Sequence, residues 1–92
     1  MASLLNDAQI QERAQQLEGW IVKGKELHLT RKFKDFLEAI AFVNLLVEPA
    51  EKAGHHPDLE ISYNKVTVSL TTHDAGGLTE KDFDLAQVIS HL

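Results

Sequence analysis

A chain of 92 residues, 43% hydrophobic and 25% charged, has room for one small globular core and none for a second, so residues 1–92 read as a single domain. Its net charge of −5 has the wrong sign for a protein that gains affinity by neutralising phosphates, which argues against direct nucleic-acid binding, and no apolar run nears the ~20 residues of a membrane span. The absence of cysteine removes disulfides, thiol nucleophiles and thiolate metal sites together, and without a signal-peptide pattern at its start the chain is expected in the cytoplasm.

Asn6 with Gln9 three residues on matches a helix N-cap, and Ile10, Ala14 and Leu17 follow at helical spacing until Gly19 offers a stop. Trp20 to Val22 and Glu26 to Lys32 read as two strands turning at Gly24-Lys25, with Leu27 and Leu29 alternating against His28 and Thr30. From Lys34 the period becomes helical. Phe36, Ile40, Val43 and Val47 mark one face, and Leu37, Ala41, Phe42, Leu45 and Leu46 carry apolar surface almost around the cylinder. Such a stripe predicts burial on two sides, one against the sheet and one against a second subunit. Pro49 lacks an N–H and crowds the carbonyl four residues earlier, which predicts a kink or restart between Leu46 and Pro49 before Gly54 ends the helix. Leu59, Ile61 and Tyr63 alternate with Glu60 and Ser62, and Val66, Val68 and Leu70 with Thr67, Ser69 and Thr71, giving a second hairpin that turns at Asn64-Lys65 with one apolar face. Thr79 with Asp82 makes a capping box for a last helix whose inner face carries Phe83, Ala86 and Ile89, with Leu85, Val88 and Leu92. The expected order is helix, hairpin, helix, hairpin, helix.

The chemistry available is that of histidine, carboxylate, hydroxyl and lysine. His55 and His56 stand just before the second hairpin and His73 just after it, so antiparallel pairing returns all three to one end of the sheet. Pro57 favours an extended backbone at His56, which aims the two adjacent imidazoles apart, and Asp74, Gly76 and Gly77 make a loop able to approach a ligand closely. Because imidazole titrates at about pH 6.5, such a cluster holds both a proton donor and a proton acceptor near neutrality, as general acid and base catalysis requires. Solvated loop histidines give the same spacing, and spacing by itself does not separate the two. Diverging neighbours, no i,i+4 histidine pair and no cysteine argue against a zinc site. Ser62, Ser69, Thr71 and Thr72 sit in no triad-like setting, and no glycine loop matches a phosphate cradle. Glu51, about one helical turn before His55, is placed either to accept from an imidazole and hold its tautomer or to be a surface carboxylate. Asp82 reads first as the capping partner of Thr79, and Trp20 and Phe33 as core.

Three blocks then stand out: Glu51-Lys52-Ala53-Gly54-His55-His56-Pro57, Tyr63-Asn64-Lys65-Val66, and Thr72-His73-Asp74-Ala75-Gly76-Gly77-Leu78-Thr79-Glu80-Lys81-Asp82. Together they resemble the pterin-4a-carbinolamine dehydratases, and the Gly19-Trp20 junction and the Phe33 to Phe42 segment extend the likeness over most of the chain. The resemblance implies an α+β fold, a four-stranded antiparallel sheet with three helices on one face. It implies a hydro-lyase that converts a 4a-hydroxytetrahydropterin to quinonoid dihydropterin, regenerating a tetrahydrobiopterin-type cofactor, with no metal or cofactor of its own. Carried over by position, His55 and His73 are the acid/base pair and His56 mainly binds substrate. Glu51 orients an imidazole, Asp82 completes the pocket, and Pro57, Thr72 and Asp74 flank it. Homodimers or homotetramers are implied as well. Some relatives also steady the dimer of a transcription factor, so the resemblance leaves two alternatives to the dehydratase: a non-catalytic, coactivator-like binding module, and a relative that processes another pterin, for example in molybdenum-cofactor metabolism. The chain departs from the pattern at Gly54, where some relatives carry an acid, and at Leu59, where they carry an aromatic.

Overall fold

Short polar signals start the helices, and the computed structural model describes them over residues 3–92. Met1 and Ala2, the first two residues of the expected 1–92 domain, lie outside the described residues. Helix α1 (Asp7–Gln15) begins at Asn6, whose side chain accepts from the Gln9 N–H while the Gln9 side chain accepts from the Asn6 N–H. It ends before Gly19, which with φ 88° turns the chain into β1 (Trp20–Lys23). Gly24 turns β1 into β2 (Glu26–Lys32), as expected. Then follow α2 (Phe36–Ala53), β3 (Asp58–Ser62), β4 (Lys65–Leu70), a single 3-10 turn (His73–Ala75) and α3 (Glu80–Ser90).

The four strands form one antiparallel sheet in the order β1-β2-β4-β3. The two hairpins thus meet along β2 and β4, where Leu27 faces Leu70 and Leu29 faces Val68. These residues are at most 5% exposed and pack against Ala39, Phe42 and Leu46 of α2 and Phe83, Leu85, Ala86 and Ile89 of α3. Trp20, buried as expected, donates its indole N–H to Ser90 Oγ at 2.7 Å and so ties the β1 edge to the end of α3. The Arg13 guanidinium, bonded to Glu80 and 5.2 Å over the Phe83 ring, ties α1 to the start of the same helix. No helix among the described residues is long and apolar enough to cross a membrane.

Five expectations are corrected. Helix α2 runs through Pro49 without restarting, because its buried stripe of Ala39, Phe42, Leu46 and Ala50 is anchored on both sides of the one missing hydrogen bond. That stripe is not the expected one: Phe36 and Val47 are 52% and 58% exposed, since a helix that is apolar almost all round leaves the choice of inner face to packing. The second hairpin turns at Tyr63-Asn64, one residue early, with Tyr63 at φ 52°. Its β3 strand lies beyond the helices, so Leu59 and Ile61, although on the core side opposite Val68 and Val66, stay about 40% exposed. Val88 and Leu92, expected on the inner face of α3, are exposed too.

Candidate active site

The site is assembled where α2 ends, β3 begins and the β4 strand runs into α3. Gly54, at φ 61°, closes α2 in the left-handed conformation, and the His55 N–H bonds back to the Ala50 carbonyl at 3.1 Å. The chain then leaves extended through His56 and Pro57 into β3. His55 and His56 consequently diverge. His55 lines a cavity of about 440 Å³ between α2 and α3, walled by Pro49, Lys52, Lys81, Leu85 and Val88 among others. His56 lines a separate one of about 200 Å³ between α2 and β3, with Val47, Glu51, Pro57 and Leu59.

Each imidazole has a carboxylate partner. His55 Nε2 lies 2.6 Å from Asp82 Oδ1, with the His55 side chain 11% exposed and Asp82 completely buried. His56 Nε2 lies 2.5 Å from Glu51 Oε2, and both of these side chains are exposed. Glu51 therefore serves His56 rather than the His55 one helical turn away, because the left-handed residue at Gly54 turns His55 off the helix surface. Asp82 does two jobs with its two oxygens. Through Oδ2 it accepts the Thr79 N–H at 2.9 Å and closes the expected capping box of α3, and through Oδ1 it meets His55. Oδ2 also accepts from Thr72 Oγ1 at 2.8 Å, and that hydroxyl lies 2.8 Å from Thr79 Oγ1.

Thr72 is the last residue before the loop that carries His73. The loop closes on itself, the Thr72 N–H bonding the Gly77 carbonyl at 3.0 Å and the Gly76 N–H the Thr72 carbonyl at 3.0 Å, with Gly76 at φ 80° where a left-handed residue is required. His73 and Asp74 are exposed on its 3-10 turn. Among the described residues His73 makes no side-chain hydrogen bond to His55 or His56, but its neighbour Thr72 shares a carboxylate with His55, so both strand ends reach one group. Gly77 approaches Leu4 rather than an open site: a Cβ there would lie 3.0 Å from the leucine side chain. Sequence reasoning reads Thr79 as a cap and misses its place in the buried hydroxyl pair; its three-residue spacing from Asp82 is the only local signal of it. No three His, Cys, Asp or Glu side chains among the described residues converge as metal ligands.

Comparison with known proteins decides the family, since the profile described as Pterin 4 alpha carbinolamine dehydratase matches residues 3–92. The chain belongs to the pterin-4-alpha-carbinolamine dehydratase family. Among similar members of this family are proteins from Trichormus variabilis, 71% identical over the whole chain and 99% of the relative, and from Cyanothece sp., 68% identical over the whole chain and 95% of the relative. Both carry the name "Putative pterin-4-alpha-carbinolamine dehydratase". A crystal structure of a transcriptional coactivator/pterin dehydratase from Brucella melitensis superposes with a TM-score of 0.89 at 36% identity, covering 95% of each chain. A pterin dehydratase-like protein identified as a RuBisCO assembly factor in the alpha-carboxysome shares the fold at a TM-score of 0.67 and 22% identity, over 80% of this chain and 88% of that one.

Proposed function

We propose that this family member is a dehydratase for a 4a-hydroxytetrahydropterin, working by histidine acid/base catalysis within tetrahydrobiopterin-type cofactor recycling. In the reaction a base takes the N5 proton, the freed electron pair forms the N5=C4a bond, and the C4a–O bond breaks as an acid delivers a proton to the departing hydroxyl. Quinonoid dihydropterin and water result, with no change in oxidation state and no electron acceptor needed. The observation that carries the reading is the completely buried Asp82 carboxylate bonded at 2.6 Å to a nearly buried His55, an imidazole held in one orientation beside a cavity. His55 and His73 serve as the acid/base pair, and His56, steadied by Glu51, binds substrate. Pro57, Thr72 and Asp74 shape and orient the site around them.

The exposed apolar stripe of α2, with Leu37 at 78%, Leu45 at 55% and Val47 at 58%, favours assembly as a homodimer or homotetramer in the cytoplasm. The same surface would serve a coactivator-like role that dispenses with the histidines. The two readings part on one experiment: dehydration of chemically generated 4a-hydroxytetrahydropterin, followed by ultraviolet absorbance above the spontaneous rate, for wild type and His73→Ala. Proton transfer by His73 predicts a loss of roughly 10²-fold or more with an unchanged fold. A well-folded wild type that leaves the spontaneous rate unchanged would rule out this pterin as substrate.

A further inference from the structure

We propose that the buried Thr79–Thr72 hydroxyl pair is a positioning device that holds the Asp82 carboxylate against neutral His55, so that the imidazole proton stays on Nε2 and Nδ1 is the basic atom offered to substrate; the inference rests on the dehydratase reading above. The argument is a count of protons. A carboxylate at Asp82 only accepts, so the single hydroxyl proton of Thr72 is spent on Asp82 Oδ2 at 2.8 Å. Thr79 Oγ1, 2.8 Å from Thr72 Oγ1, must then donate to it, while its own oxygen accepts the Lys81 N–H at 3.3 Å. The Thr79 N–H adds a second donor to the same Oδ2 at 2.9 Å. Every proton along Lys81, Thr79 and Thr72 thus points toward Asp82.

Burial makes the direction hard to reverse. Thr79 and Asp82 are 0% exposed and Thr72 is 7%, so water has no ready access to substitute for a missing donor. With Oδ2 doubly occupied, Oδ1 is left to His55 Nε2 at 2.6 Å, and since the carboxylate has no proton to give, the proton of that bond sits on the imidazole. Nδ1 makes no protein hydrogen bond among the described residues, and the His55 side chain lines the cavity between α2 and α3. Its lone pair is the one free to take a proton from a bound substrate. The acid that assists the departing hydroxyl is then a different imidazole.

The test is long-range ¹H–¹⁵N NMR of the full-length protein at a pH where its histidines are neutral, paired with steady-state kinetics. Thr72→Val and Thr79→Val remove each hydroxyl at nearly constant shape, and Thr72→Ser and Thr79→Ser keep it. We expect His55 in the wild type as the Nε2–H tautomer with a slowly exchanging ring proton, the same tautomer with faster Nε2–H exchange in each Val variant because Asp82 still accepts but is less firmly held, and kcat lowered about tenfold, the rate equivalent of one hydrogen bond to a charged group. KM should stay within about twofold of wild type on the same ground, and the Ser variants should recover both slow Nε2–H exchange and rate. A wild-type Nδ1–H tautomer, or Val variants that leave Nε2–H exchange and kcat unchanged, overturns the inference. The two positions are tested separately, so a fold lost in one variant leaves the other to decide. Wild-type protein without dehydratase turnover would count against the substrate reading, whereas Nε2–H exchange across the Val and Ser variants decides the role of the hydroxyl pair by itself.

Discussion

Replacing Asp82 by asparagine exchanges one carboxylate oxygen for an amide nitrogen at the centre of the site, and its effect can be worked bond by bond. Oriented with its carbonyl in the place of Oδ2, the Asp82→Asn amide still accepts from Thr72 Oγ1 and the Thr79 N–H. Its nitrogen, however, takes the place of Oδ1 and faces His55 Nε2, so donor meets donor unless His55 moves its proton to Nδ1. Three hydrogen bonds to a charged acceptor become neutral ones, each weaker by about 1 kcal/mol, which sets an upper cost near 3 kcal/mol. For a domain of this size that lowers the melting temperature by roughly 10 to 20 °C. Turnover should fall further than stability, on the order of 10² to 10⁴, because the imidazole loses its orienting carboxylate and carries its proton on the wrong nitrogen. The assay is pterin dehydration well below the variant's melting midpoint, with circular dichroism to show that the protein is folded. A folded Asp82→Asn protein with turnover within a few-fold of wild type would refute the role assigned to the His55–Asp82 pair.

Two further predictions concern the scaffold that holds this pair. Leu70, completely buried on β4 two residues before Thr72, should cost about 2–5 kcal/mol when cut to alanine, read as a lower urea midpoint at constant m-value; a shift under about 1 kcal/mol would mean that the sheet face is not packed as described. Pro49→Ala restores an N–H to the interior of α2 and should stabilise the fold by about 1–3 kcal/mol in the same measurement, and a loss of stability would show that the proline shapes a contact the helix needs.

Much of the fold is legible in the sequence because its signals are local. Asn6 and Gln9, or Thr79 and Asp82, declare a helix start through bonds that span three residues, and no distant contact is needed to form them. The alternation of Leu27 and Leu29, or of Val66, Val68 and Leu70, likewise names the buried face of a strand, whatever lies on the far side. Part of the site is legible for the same reason. A hairpin returns its two ends to one edge, which is why the sequence places His55 and the Thr72-His73 segment side by side, and why His55 and Thr72 share Asp82 in the fold.

The limits of that reading are equally physical. Where a pattern is degenerate, as on the nearly all-apolar surface of α2, periodicity has no means of choosing Ala39 and Phe42 over Phe36 and Val47, and packing against β4 and α3 makes the choice. Tyr63 looks like the third apolar residue of a strand, yet pairing of Ser62 with Lys65 forces it into the turn. The sequence by itself determined the elements, their caps and the set of histidines, because these depend on neighbours within a few residues. Only the tertiary structure decided the strand order β1-β2-β4-β3 and carried α3 onto the end of α2, setting Asp82 against a histidine 27 positions away. A contact at that separation leaves no periodic trace in the chain; it exists because burying the inner faces of both helices on one sheet brings their polar ends together.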